Sequence, residues 1–141
     1  MPSRSTPSWT TPQPADVLCY LYLWRHEQVD GREDGAKVRP VLVMSAQQTE
    51  AGLVVLVAPI TTRDYAPAQS IIMPLRVCDH LRLDNRSKIV TTEVNRFIWV
   101  GPDVVPGRDG SPFIGTAPAA LHDLVRKKMI AGRLRIVDRT V

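Results

Sequence analysis

Two apolar, β-rich runs, PVLVMS beginning at Pro40 and LVVLVAPI beginning at Leu53, lie only a few residues apart, with Glu50, Ala51 and Gly52 between them. A connection this short cannot hold a helical crossover, so the two runs must pair antiparallel as a hairpin turning at Glu50–Gly52. Pro40 pushes Arg39 toward extended geometry at the mouth of the first strand. After Pro59 the apolar pattern stops, and Thr61, Thr62, Arg63, Asp64 and Tyr65 carry two hydroxyls and a guanidinium into a loop.

The rest of the chain supplies short partners for this hairpin. In VLCYLYLW, from Val17 to Trp24, the residues Val17, Cys19, Leu21 and Leu23 alternate with Leu18, Tyr20, Tyr22 and Trp24, which predicts a strand with one side in the core and a second packing surface on the other. That second surface is a candidate dimer interface. The segment from Arg25 to Val38 is charged, holds Gly31 and Gly35, and has Val29 as its one apolar anchor; it predicts a long mobile flap. QSIIMPL and KIVTTEV predict two more strands with CDHLRLDNRS connecting them, and RFIWV continues the sheet after a bend near Asn95. A helix is expected from about Pro118 to Ala131, with Thr116 as a candidate N-cap, Leu121, Leu124 and Val125 on its buried stripe, and Gly132 as its stop. RLRIV follows as an edge strand, Leu134 and Ile136 on one side and Arg133, Arg135 and Val137 on the other. No stretch alternates strand and helix in the manner of a doubly wound sheet. The expected fold is therefore mainly β with α: a small antiparallel barrel or half-barrel carrying a C-terminal helix.

At 141 residues the chain suits one domain, residues 15–141, preceded by a Pro-, Ser- and Thr-rich leader, residues 1–14, in which only Trp9 stands out as a group that can dock. No apolar run is long enough to cross a bilayer and the N-terminus lacks the apolar centre of a secretory signal, so a cytoplasmic location is expected. Cys19 and Cys78 sit in apolar segments and read as small buried thiols. The net charge of +4 lies entirely in the last twenty-one residues, Leu121 to Val141, which hold six basic residues against two acidic ones. Such a tail either faces phosphates or is a solvated helix face followed by a protected edge strand.

Phosphate-cradling glycine loops, zinc-ligand pairs, serine nucleophile elbows and metalloprotease helices are all missing from the sequence, and three histidines make a histidine metal cluster improbable on numbers alone. Arginine, threonine and carboxylate at loop ends are the remaining chemistry. That inventory suffices to bind and cleave RNA without metal or cofactor, because RNA carries its own nucleophile in the 2′-hydroxyl.

An initial strand headed by Asp16, a charged loop, RPVLVMS, and then GLVVLVAPITT resembles the MazF/PemK family of toxin endoribonucleases, over roughly Asp16 to Val100. The resemblance implies an SH3-like small barrel that pairs as a homodimer, cleaves single-stranded RNA and is neutralised by a cognate antitoxin protein. By position, Arg39 matches the family's catalytic arginine and Thr61 its catalytic threonine, both facing one groove. Arg39 would then bind the scissile phosphate, and the Thr61 hydroxyl would hold a non-bridging oxygen as charge builds. Asp34, Thr62, Arg63, Glu93, Asn95 and Arg96 are the expected RNA-contacting residues, with Glu33 or Asp34 in the flap as a partner for Arg39 in the free protein. Two departures stand out. Ala15 replaces the glycine that usually precedes Asp16, a mild change if the backbone there does not need positive φ. Thr92 and Glu93 occupy the place of the family's Asp-Gln, which moves the carboxylate one residue along and, on a strand, to the other face. His26 and His80 lie in polar segments from which they can assist proton transfer if folding brings them to Arg39. A catalytically weak RNA-binding or regulatory barrel, or a structural protein-interaction module, are the alternative readings.

Overall fold

The computed structural model describes residues 9–29, 37–107 and 109–140. Its spine is the expected hairpin: β2 (Val38–Thr49) and β3 (Gly52–Thr61) pair antiparallel from Val41 opposite Pro59 to Thr49 opposite Gly52. The turn is closed by Thr49, whose hydroxyl accepts the Ala51 N–H and donates to the Gly52 carbonyl. Gly52 has φ of +124° and a Cβ placed there would stand 2.9 Å from Ile98 Cγ2, so both backbone and space call for glycine.

β1 (Asp16–Leu21) lies against the other edge of β2, and β7 (Phe113–Thr116) against β1. On the far side β3 divides its edge between two strands. Its first half pairs with β6 (Glu93–Ile98), and its end pairs with β5 (Lys88–Val90), which in turn carries β4 (Ser70–Ile72). The last strand, β8 (Arg135–Asp138), adds to β6 in parallel. Among the described residues there are three α-helices: α1 (Arg25–Val29), α2 (Leu75–Leu81) and α3 (Ala119–Ala131).

This arrangement corrects the expected barrel. The sheet runs β4-β5-β3-β2-β1-β7 with β6 and β8 branching from β3, and among the described residues its two ends do not pair. The fold is mixed α and β around an antiparallel sheet that stays open, because β3 spends its outer edge on two different strands and helices cover a face that a closed barrel would turn to solvent. α2 and α3 press Val77, Cys78, Leu81, Leu121, Val125 and Met129 onto Val17, Leu42, Ala58, Ile60 and Val94. The opposite face is aromatic, with Leu18, Tyr20, Tyr22, Trp24, Val41, Val55, Val57 and Phe97 in one cluster.

Several local expectations change accordingly. Leu18, Tyr20, Tyr22 and Trp24 are at most 2% exposed, so the second face of the first strand is buried within the chain and is not available as a dimer surface. Of QSIIMPL only Ser70–Ile72 is strand, and α2 runs from its last residue into the expected connector CDHLRLDNRS, stopped by Arg82 in the left-handed conformation. KIVTTEV is not one strand: it breaks at Thr91–Thr92, and β6 then passes through Asn95 without the anticipated bend. Pro118, not Thr116, stands at the N-cap of α3, while the Thr116 hydroxyl donates to Asp16 Oδ1 at 3.1 Å. On β8 Val137 turns inward and Ile136 outward, the reverse of the side that the apolar pair Leu134 and Ile136 suggested. Trp9 does dock, its ring centroid 6.4 Å from that of Trp99. Ala15 adopts φ of 81°, so this position does need the left-handed region, at a cost of about 1 kcal/mol for a residue with a Cβ. Its N–H and C=O nevertheless tie β2 and the start of α3 together through Val43 and Ala117.

Replacing Gly52 by alanine should cost about 2 kcal/mol, since positive φ and the contact with Ile98 act together. Urea unfolding measures this; a loss below about 0.5 kcal/mol would mean that the turn relaxes freely.

Candidate functional site

The hairpin register decides where the sequence-predicted pair falls. Val41 faces Pro59, and continuing that ladder by two residues sets Arg39 across from Thr61; on its other side Arg39 faces Tyr20. Side chains two apart on a strand share a face, so Arg39 and Thr61 both continue the aromatic face that carries Val41 and Val57. The structure thus brings Arg39 and Thr61 together at the open end of the hairpin. A cavity of about 300 Å³ opens there, lined by Lys37, Arg39, Thr61, Thr62, Arg63 and Arg82 among others. Asp84 also lines it, but its carboxylate is engaged by Arg86 at 2.8 Å.

Beneath the cavity lies an aromatic floor that alternation alone did not reveal as a site. The Arg39 guanidinium carbon sits 5.1 Å from the Trp24 ring centroid, and that of Arg63 sits 6.0 Å from the same ring. Tyr65 and His26 stack on Trp24 at 5.9 Å and 6.3 Å, and Tyr22 meets it edge-on at 5.1 Å. Trp24 was visible in the sequence as the last alternating residue before the charged segment, and Tyr65 as an aromatic shortly after Thr61. Neither carries a motif, and only folding superposes them.

Arg39 is half-buried, and its Nε has no partner among the described residues. Burial lowers its pKa, the charge of Arg63 lowers it further, and Glu27 opposes both. Thr61 is buried; its Oγ1 accepts the Arg63 N–H at 3.1 Å, which fixes the turn that follows β3. The Arg63 carbonyl accepts from Lys88 Nζ at 2.9 Å, holding the same turn from below. Thr62 and Arg63 are exposed at the cavity rim.

The other expected contact residues divide. Glu93 lies on the same sheet face as Phe97 and joins the aromatic cluster, where its carboxylate accepts from the Tyr22 hydroxyl at 3.1 Å and the Arg25 N–H at 3.0 Å. Glu93 thus lies on the aromatic face beside Tyr22 and does not line the cavity itself. Asn95 is fully buried, with its amide exchanging two hydrogen bonds with the backbone of Leu23, 2.9 Å to the N–H and 2.8 Å to the carbonyl. It braces the segment that carries Trp24 and presents nothing to the cavity. Arg96 points to the opposite side and pairs with Asp138 of β8. His80 lies on α2 and is exposed. Glu33 and Asp34 fall outside the described residues. The beginning of the expected flap is α1, tied down by Glu27 Oε1 accepting the Trp24 N–H at 3.0 Å. Among the described residues no three His, Cys, Asp or Glu side chains gather as a metal site, and no helix is long and apolar enough to cross a membrane.

No family model and no curated protein matches this chain. Among solved structures, the crystal structure of MazE-MazF (Form-III) from Deinococcus radiodurans matches with a TM-score of 0.55 over 85% of this chain and 94% of that one, at 17% identity. The two chains share a fold.

Burial raises the Glu93 pKa above its ordinary 4.5, the bonds from Arg25 and Tyr22 opposing the shift only in part. A carboxyl that holds its proton more tightly when folded stabilises the native state at low pH, and that contribution is lost as pH rises through the folded pKa. Glu93→Gln keeps an acceptor for both donors and should match the wild type below pH 4.5 yet be the more stable of the two at neutral pH. Thermal melts across pH 4 to 8 test the sign, and an equal pH slope in both proteins would show that Glu93 titrates as it does unfolded.

Proposed function

We propose that this chain is a MazF/PemK-like toxin: an endoribonuclease that cleaves single-stranded RNA without a metal and is held in check by a cognate antitoxin. The observation that carries the reading is the meeting of Arg39 and Thr61 across the β2–β3 register at the mouth of a cation-lined cavity. The shared fold with the MazE-MazF structure supports it.

In this reading a phosphodiester enters the cavity and its non-bridging oxygens meet the Arg39 guanidinium, whose planar donors suit phosphate. The neighbouring 2′-hydroxyl attacks phosphorus, the bond to the 5′-oxygen of the next nucleotide breaks, that oxygen takes a proton from water to leave as a 5′-hydroxyl, and a 2′,3′-cyclic phosphate forms. Arg39 and the Thr61 hydroxyl stabilise the charge on the equatorial oxygens. For that, Thr61 keeps its Oγ lone pair on the Arg63 N–H and turns its proton toward the phosphate, so one hydroxyl both fixes the turn and serves the reaction. Glu93, with its raised pKa, and His26, stacked on Trp24, are the titratable groups of this face suited to take the 2′-hydroxyl proton. A homodimer belongs to the same reading, and since the β1 face is buried internally, exposed Leu124, Ile130 and Ile136 on α3 and β8 are the apolar groups it would cover.

Cleavage of a mixed single-stranded RNA in excess chelator should proceed with the wild type and fall about 100-fold or more in Arg39→Ala and in Thr61→Val, the scale of losing one preorganised donor to a transition-state oxyanion. Undiminished cleavage in both variants would remove the assignment of this site.

A further inference from the structure

Two guanidiniums on one indole is an arrangement that the free protein does not need. Arg39 and Arg63 approach the same Trp24 ring at 5.1 and 6.0 Å. Neither forms an ion pair with any described residue, although five other ion pairs are present among them. The carboxylate that faces Arg39, Glu27, is turned to the Trp24 N–H. Trp24 is only 2% exposed, so a nucleotide base has no room to stack on it; the arginines, Tyr65 and His26 already cover it. Both arginines line the cavity, with Thr61 and Thr62 between them.

We propose that Arg39 and Arg63 form a single clamp that closes on one phosphate group of the RNA backbone, Trp24 serving as the platform that holds both guanidinium planes. This rests on the ribonuclease reading and adds to it a second phosphate ligand and a role for the buried tryptophan. The physical case is one of uncompensated charge. Each arginine gains from the ring face, yet they repel one another, and the cation–π gain does not supply a counter-charge. An anion seated between them does. The clamp is also preorganised, since Thr61 Oγ1 and Lys88 Nζ hold the Arg63 backbone from both sides. Part of the lowering of the Arg39 pKa comes from Arg63, which is the repulsion that a bound phosphate relieves.

The test uses binding alone, so that it stays separate from cleavage. A fluorescein-labelled oligonucleotide with 2′-O-methyl riboses, which cannot be cut, is titrated by anisotropy at several salt concentrations against the wild type, Arg39→Gln, Arg63→Gln and the double variant. Each phosphate contact on a single strand contributes about 0.7 to the slope of log affinity against log salt. A shared phosphate predicts that either single variant lowers the slope by about 0.7 and that the double variant lowers it by no more than that. Its affinity should lie within about threefold of the weaker single variant. Two separate phosphates would give a drop of about 1.4 in the double variant, with losses that multiply, and would overturn the clamp. So would a slope unchanged in Arg63→Gln, even with Arg39→Gln impaired, and the ribonuclease reading would then stand without it. Arg63→Lys, which keeps the charge but not the guanidinium that approaches Trp24, should retain the salt slope while losing affinity. Loss of cleavage with an intact clamp would instead count against the ribonuclease reading alone.

Discussion

The antiparallel register of β2 on β3 is the constraint from which the site follows. A strand slipped by one residue would turn Arg39 to the opposite face, away from Thr61 and from the aromatic cluster. The register is secured at both ends and along its length. At the turn, Thr49 and Gly52 admit one geometry; along the strands, both faces are buried, so a slip would exchange the residues under α2 and α3 for those of the aromatic layer. β1 adds a second check, because its own ladder places Tyr20 opposite Arg39.

A second set of bonds positions the floor. After β1 ends at Leu21, the chain from Tyr22 to Arg25 has left the sheet ladder, and side chains bond several of the backbone groups around it. Asn95 takes both polar groups of Leu23, Glu27 takes the Trp24 N–H, Glu93 takes the Arg25 N–H, and Arg139 donates to the Leu21 carbonyl. Arg139 itself comes from the segment just after β8 and is paired with Asp103 in a nearly buried ion pair. The basic C-terminal segment therefore has a structural duty as the strap that covers the β6 edge. Its ion pairs Arg96–Asp138 and Arg139–Asp103 join it to the β6 strand and to the segment before β7.

What the sequence made legible was local and periodic. The hairpin, its turn and α3 could be read because each rests on a run of apolar residues with a matching stop. Arg39 and Thr61 could be named because Pro40 and Pro59 flank the two strand ends and the family pattern marks both positions. The open sheet was not legible, since nothing in the short runs SII, KIV and EVNRFI says which edge of β3 each will take. Nor was the parallel attachment of β8. Asn95, placed among the RNA contacts from its neighbourhood in the family motif, proves to be a backbone brace, and that distinction depends on which side of β6 faces Leu23. Ala15 carries the same lesson in reverse: its backbone takes a positive φ, the region that favours glycine, and this chain holds it with an alanine.

The central claim is that Arg39 and Thr61 serve a phosphate attacked by its own ribose. The most direct measurement is mass spectrometry of the products from an RNA with one preferred cleavage position, alongside the same oligonucleotide carrying a single 2′-deoxyribose immediately 5′ to the scissile phosphate. The account predicts a 2′,3′-cyclic phosphate or its opened 3′-phosphate on one fragment, a 5′-hydroxyl on the other, and no cleavage at the deoxy position. Products bearing a 5′-phosphate and a 3′-hydroxyl, or equal cleavage of the deoxy substrate, would contradict it.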